Sequence, residues 1–296
     1  MPSNKQYAAV GCYYGKWPNY FQFWLTSCSY NPTIDFFLVT DINTEGYSIP
    51  PNVHIVRMEF CALVKKIRSA ITLPNGKAIS CVRPYKLCDF RVAYGHIFRN
   101  IFEGYDYWGF YDIDTIWGNL QAFIPSNTDC HWLKIFPCGH LSFVRNQEPY
   151  IDVYKHIKVE GNPTWDTVFS TSKNYYFDEQ GGLSPHFKSA SLMPYYYCKP
   201  DFDNICPPQK RKWRNFNSIN FPEKNHFLCY SYEEGHLYRN YLKRLHVEKE
   251  EISYLHISRR AMSVKTPIDK QRFIIYPNCF DHWQEFSVLS LIWHGK

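Results

Sequence analysis

The sequence predicts an α/β sandwich around a mainly parallel central sheet, followed by a less regular C-terminal part. Three observations carry this. Strand-like and helix-like patterns alternate through the first ~120 residues, as in successive βαβ units. The candidate strands are almost continuously apolar, as in IDFFLVTD from Ile34 to Asp41, and such strands belong to sheets covered on both faces. The intervening helices each carry one apolar stripe. A chain of 296 residues, 45% of them hydrophobic, can build one large domain or two closely joined ones.

Tyr7 to Cys12 (YAAVGC) reads as a short buried strand, broken by the Gly/Pro turn region YYGKWPN. Residues 19–29, NYFQFWLTSCS, read as a helix opened by Asn19. IDFFLVTD is the second strand and NVHIVRM, after a Pro-rich link, the third. EFCALVKKIRSAI sets Phe60, Leu63, Val64, Ile67 and Ile71 at helical spacing. Another amphipathic helix starts at Pro84, which suits a first turn, with Leu87, Phe90, Tyr94, Ile97 and Ile101 on one side. EGYD ends it and leads into YWGFYDID, an aromatic, β-branched strand. Beyond CGHLSFVRN the pattern blurs into Pro-, Asn- and Tyr-rich stretches. There EEGHLYRNYLKRLHVEKEEI reads as one more helix, and the final WQEFSVLSLIWHG as a short amphipathic one docked on its own domain.

The 11 cysteines are odd in number and include no CxxC. A chain this long needs no disulfide staples, so reduced thiols in a cytoplasmic protein are the expectation. No apolar run reaches the ~18 residues of a membrane span, and the N-terminal stretch lacks a signal-peptide core. The net charge of +6 is modest. Basic residues concentrate in QKRKWRNFNS, where 210–214 offer a peripheral contact with anionic headgroups on the inner membrane face, or with a phosphate-bearing substrate. A solvated loop is the alternative. No nucleic-acid-binding motif accompanies the patch, so no nucleic-acid partner is expected. Most of the 24 Tyr, 22 Phe and 9 Trp belong to the core, although such rings also line sugar and base sites.

YWGFYDIDTIWGN sets Asp112 and Asp114 one residue apart in an apolar stretch. Burying such carboxylates is costly unless their charge is compensated. On a strand, residues i and i+2 point the same way. Both carboxylates are therefore expected on one side at the C-terminal strand end, the edge where open α/β sheets bind ligands. Two hard oxygen donors suit Mg2+ or Mn2+, with positions left open for phosphate oxygens. The alternative is a pair that caps the strand end or the following turn. Upstream, Lys86 and Asp89 in RPYKLCDFRVAYGHIF share one helical face.

The order of PYKLCDF, YDYWGFYDIDTIWGN, CGHLSFVRN, YYFDEQGG and YLHISRR resembles that of the GT-A glycosyltransferases, especially a bacterial group from capsule and polysaccharide gene clusters. A broader likeness is to the galactosyl- and glucosyltransferases of lipopolysaccharide and glycogenin type. The resemblance covers most of the chain. It implies a GT-A fold, a Rossmann-like α/β/α sandwich. Residues 1–200 would form the nucleotide-sugar-binding core, and 201–296 would complete the metal and diphosphate site and the acceptor side, within one compact domain.

The resemblance also implies roles for individual residues. Asp112 and Asp114 match the metal-binding DxD, and His256 the late histidine that adds a metal ligand. Arg259 and Arg260 match the basic positions that hold diphosphate oxygens, while Ser258 stands where the family often has Gln. Lys86 matches the basic residue over the donor sugar or diphosphate. Asp89 would bond a sugar hydroxyl, with a helix-face salt bridge as the equal alternative. Tyr13 or Tyr14 would stack on the base, and Lys16 would approach a phosphate. Gly139 would let the backbone approach a ligand closely. His140 and Ser142 would border donor sugar and acceptor, and Arg145 would serve a phosphate or a nearby carboxylate.

The implied reaction moves a hexose, with galactose as the favoured sugar, from a UDP-sugar to a polyprenyl-diphosphate-linked saccharide, using Mn2+ or Mg2+. An inverting enzyme needs a carboxylate to deprotonate the acceptor; FDEQGG supplies Asp178 as first choice and Glu179 as second. In retaining relatives the same segment positions the sugar. Two other readings compete. A Mg-dependent nucleotidyltransferase or phosphohydrolase would want a phosphate loop, and GCYYGKWPNY lacks the G-x-x-x-x-G-K-[ST] pattern. A non-catalytic carbohydrate-binding protein would suit the aromatics.

Overall fold

Strand β1 (Tyr7–Cys12) is buried on both sides. Tyr7 and Ala9 enter one core and Ala8 and Val10 another, the two-residue period of a strand. The computed structural model describes residues 6–125, 132–197, 201–205, 228–244, 246–258, 261–267, 271–285 and 287. In it β2 (Ile34–Thr40) and β3 (Val53–Arg57) lie parallel to one side of β1, and β4 (Tyr107–Tyr111) parallel to the other. β5 (Thr115–Trp117) leaves this sheet. The sheet continues through β6 (Lys134–Cys138), β7 (Leu141–Arg145) and β8 (Tyr196–Tyr197) in the order β3-β2-β1-β4-β7-β6-β8. Because β7 runs antiparallel to both β4 and β6, the sheet is mixed, with a parallel half built from the first four strands.

Helix α1 (Phe21–Ser29) has seven of its nine residues buried, because it lies between two sheets. Phe21, Trp24 and Leu25 pack on the first sheet, while Phe23 stacks near Phe273 and Phe280 of the second, at 4.5 and 4.8 Å. Asn19 does not cap this helix. Tyr20 holds the cap position, and the Asn19 side chain instead donates to the Met262 carbonyl at 2.7 Å. Helix α2 (Phe60–Ala70) covers the other face with Leu63, Val64 and Ile67.

The single helix expected from Pro84 is broken. A 3-10 turn at Pro84–Lys86 leads to α3 (Leu87–Phe90), a second 3-10 turn at Arg91–Ala93 and then α4 (Tyr94–Ile97). Its apolar side is as read, with Leu87, Phe90, Tyr94 and Ile97 buried. Among the described residues helices are few, so the regular strand–helix alternation of a Rossmann-like sandwich is present only in part, within a mixed α/β fold.

Among the described residues the C-terminal part is regular, and it is β rather than helical. β9 (Asp203–Asn204) precedes β10 (Cys229–Glu233), β11 (His236–Lys243) and β12 (His246–Ile252). The segment read as a helix is therefore an antiparallel meander, turning at Gly235 with φ +94°. β13 (Tyr254–His256), β14 (Ser263–Val264), β15 (Arg272–Tyr276) and β16 (Cys279–His282) follow. The second sheet runs β12-β11-β10-β15-β16-β14, and a third runs β5-β13-β9.

Residues 283–285 are not helical, and the rest of the expected last helix, Ser287 apart, lies outside the described residues. So do the basic segment 210–214 and Arg259 and Arg260. Among the described residues the cysteines are unpaired, and no helix is long and apolar enough to cross a membrane.

Candidate functional site

The chain steps from β1 through β2 to β3 on one side, then returns to β4 on the other. That reversal leaves a crevice beyond the C-terminal ends of β1 and β4, the place where open sheets take ligands. A cleft of about 810 Å³ opens there, between Tyr13 and Tyr14 after β1 and the Asp112–Asp114 segment after β4.

β4 ends at Tyr111, so the two aspartates lie beyond the strand and their convergence is not a matter of strand alternation. A turn sets it instead. The Asp112 amide donates to the His140 carbonyl at 3.1 Å, and Thr115 Oγ1 donates to the Asp112 carbonyl at 2.6 Å. β5 then pairs antiparallel with β13, with Thr115 opposite His256, and the Ile257 amide donates to the Asp114 carbonyl at 2.8 Å. This pairing places Nε2 of His256 3.3 Å from Asp114 Oδ1 and 3.9 Å from Asp112 Oδ2. Ligand atoms of all three residues lie within 4.8 Å of one another. On the other side of β13, Asn204 of β9 accepts a hydrogen bond from His256 Nδ1 at 3.0 Å. The proton is thereby held on Nδ1, and Nε2 is turned toward the carboxylates, as in many histidine metal ligands.

Three electron-rich groups facing each other call for a cation between them. Burial opposes charging His256, yet Asp114 and then Asp112 outweigh it and raise the imidazole pKa above its ordinary value. A proton on Nε2 is one solution and a divalent metal another. Two carboxylates plus an imidazole fit Mn2+ better than Mg2+, which favours oxygen ligands alone. His140 backs the site, its ring parallel to that of His256 at 4.0 Å. Burial, with His256 adjacent, pushes the His140 pKa well below its ordinary value and keeps it neutral.

Arg91, which the sequence reading did not single out, joins the candidate site. It donates from Nη2 to Asp112 Oδ1 and from Nη1 to Asp178 Oδ2 at 3.0 Å and the Gly139 carbonyl at 3.1 Å. Its charge persists despite burial because Asp112 and Asp178 flank it. The available signal was an arginine next to Phe90 on the buried side of that stretch. Burial pushes the Asp178 carboxyl pKa up, with Arg91 pulling the other way and Glu179 adding to the rise. Glu179 is more open, its side chain 26% exposed against 4% for Asp178. One Glu179 oxygen accepts the Gly139 amide at 2.7 Å. A Cβ on Gly139 would stand 2.5 Å from Asp178 Oδ2, so this glycine makes room for the Asp178–Arg91 pair rather than for a ligand.

Other expected site residues lie elsewhere. Lys86 and Asp89 form a fully buried ion pair at 2.8 Å. Lys86 also donates to the carbonyls of Val168 and Lys173, and Asp89 accepts the amides of Tyr175 and Phe177. The salt-bridge account of Asp89 therefore holds, and neither residue lines the cleft. Tyr13 and Tyr14 do line it. Tyr13 has one ring face stacked on Trp17 at 5.5 Å, and its hydroxyl donates to the Lys16 carbonyl. Lys16 is exposed on that loop but is not part of the lining. Ser142 is buried against Lys134, and Arg145 lies over the Tyr107 ring at the far end of β4, so neither borders the cleft.

The family of unknown function DUF6625 matches residues 9–284, and the chain belongs to it. No curated protein matches the chain.

Proposed function

We propose that this protein is a metal-dependent glycosyltransferase that moves a hexose from a UDP-sugar to a saccharide acceptor. The observation that carries the reading is the convergence of Asp112, Asp114 and His256 at the crevice between β1 and β4. These three residues would hold Mn2+, which when bound supplies positive charge beside a departing diphosphate. Tyr13, its other face backed by Trp17, offers a flat ring to the nucleobase. Arg91 contributes a fixed positive charge at the cleft wall, near the place of the transferred sugar.

Of the two carboxylates after Tyr176, Glu179 is offered to the acceptor hydroxyl, because Asp178 is buried and committed to Arg91. That reverses the order suggested by the sequence and gives Asp178 a positioning role. The placement of a base-stacking ring after the first strand and paired carboxylates after the fourth supports a GT-A-like arrangement. The lipid-linked acceptor and a location at the inner membrane face belong to the same reading. A nucleotidyltransferase is disfavoured, since bulky Tyr13 and Tyr14 occupy the turn where a glycine-rich phosphate loop would sit.

The test is a thermal-shift panel of nucleoside diphosphates and sugar nucleotides, each with and without Mn2+. A ligand that binds only the folded state raises the melting temperature. UDP with Mn2+ should shift it where neither alone does. A shift with free saccharides, independent of metal, would favour a carbohydrate-binding protein instead.

A further inference from the structure

We infer that Tyr176 and Tyr85 form a stacking platform for a pyranose ring of the acceptor at the mouth of the cleft, an inference that rests on the transferase reading. Both rings line the cleft, yet they are 48% and 41% exposed. Among the described residues the other exposed large hydrophobic side chains, Val82, Met193 and Tyr195, are not part of its lining.

The backbone of Tyr176 is held in an unusual state for a residue that leaves about half its surface exposed. Its φ is +53°, in the left-handed region that L-residues seldom occupy. The structure imposes this from both sides. The amides of Tyr175 and Phe177 each donate to the buried Asp89 carboxylate, at 3.1 and 3.0 Å. The Tyr176 carbonyl accepts the amides of Glu179 at 3.0 Å and Gly181 at 2.9 Å. Asp89 is itself locked by Lys86. A strained backbone kept rigid under a free side chain points to a role for that side chain.

Tyr85 belongs to the same rim. Asn174 donates from Nδ2 to the Tyr85 carbonyl at 3.1 Å and accepts from Arg83 at 2.6 Å, which ties the two segments together. An aromatic face offers a flat apolar surface, and the C–H face of a pyranose complements it. The more open Glu179 carboxylate lies three residues on in the chain and also lines the cleft. A sugar stacked on Tyr176 would therefore direct hydroxyls toward acidic oxygens. An alkyl chain would meet that same carboxylate, which argues for the sugar over a lipid tail.

Saturation-transfer difference NMR on the full chain, with UDP present and diamagnetic Mg2+ replacing paramagnetic Mn2+, tests this. The probes are methyl β-galactopyranoside, methyl β-glucopyranoside and octyl β-glucoside. The wild type should bind at least one pyranoside through the C–H protons of one ring face. Tyr176→Gly and Tyr85→Ala should each weaken that binding roughly tenfold, and Tyr176→Phe should keep it. Glycine tolerates the left-handed backbone, so Tyr176→Gly should melt no lower than wild type, which separates lost binding from lost folding. Undiminished pyranoside binding in folded Tyr176→Gly and Tyr85→Ala would overturn the inference. So would saturation confined to the octyl protons, or no pyranoside binding by a wild type that does bind UDP with Mg2+. Tyr176-dependent pyranoside binding by a protein that binds neither UDP nor Mn2+ would support the platform and end the transferase reading.

Discussion

Nε2 of His256 stands 3.3 Å from Oδ1 of Asp114, and one short strand pairing puts it there. Thr115 lies opposite His256 in that pairing, so the residue before Thr115 and the histidine emerge at the same edge. Asp112, on the other flank, is held by Arg91. Asp112 Oδ1 is thus committed to a fixed cation, while Asp112 Oδ2, Asp114 Oδ1 and His256 Nε2 frame a place that either a proton or a metal ion can take.

Asn204 orients His256 without touching the cation place itself. Asn204→Leu removes the acceptor of the Nδ1 proton and should weaken Mn2+ binding ~10–100-fold while leaving the fold intact. Isothermal titration with Mn2+ checks this; an unchanged affinity would mean that imidazole orientation is irrelevant.

Mn2+ and a proton compete for Nε2 of His256. Burial disfavours the imidazolium, but Asp114 raises the pKa overall. Mn2+ affinity should therefore be flat above that raised value and fall by about tenfold per pH unit below it. In metal-free protein the sign runs the other way. The charged pair stabilises the fold fully below the ordinary histidine pKa, and its contribution is lost as pH rises through the raised one. Melting temperatures of wild type and His256→Asn across that range should converge on the alkaline side.

Arg91→Met strands Asp112 and Asp178 and should destabilise by ~3–5 kcal/mol, the usual cost of removing one partner of a buried pair. Adding Asp178→Asn should recover part of the loss, because the second substitution removes a carboxylate left without its guanidinium. Urea denaturation of the four proteins of the cycle measures the coupling.

Gly139→Ala forces a methyl against Asp178 Oδ2 and should cost ~1–3 kcal/mol, as overpacking does. On the proposed transferase reading, activity should fall with it, since the displaced carboxylate drags Arg91.

Lys86→Met tests a correction. Its ammonium is buried among Asp89 and two carbonyls, so the variant should lose ~3–5 kcal/mol of stability. The KM for the sugar nucleotide should stay unchanged in protein that remains folded. A raised KM with normal stability would restore the donor-binding role that the sequence suggested.

The legible parts of the fold were those governed by local apolar patterning. The runs of β1 to β4 and the stripe of α2 need no distant partner to be read. The β10–β12 meander was hidden because Arg239 points inward, between Leu237 and Tyr241 in sequence. Its burial is made possible by Asp203, at 2.7 Å from Nε, and by Asp201. No inward-facing arginine looks apolar, so the strand alternation was masked and the charges read as helical pairs. The same blindness concealed Arg91. His256 could be nominated only through a family resemblance, because its place beside Asp114 depends on pairing between distant strands. Lys86 and Asp89 were legible as a pair, but not as a buried one.

The central claim is that Asp112, Asp114 and His256 hold one divalent cation, and electron paramagnetic resonance of Mn2+ tests it most directly. Titrating the protein into Mn2+ should quench the signal of the free ion with one site per chain, and Asp114→Asn and His256→Ala should each restore it. An undiminished free-ion signal with wild type, or equal quenching by folded Asp114→Asn and His256→Ala, would contradict the account.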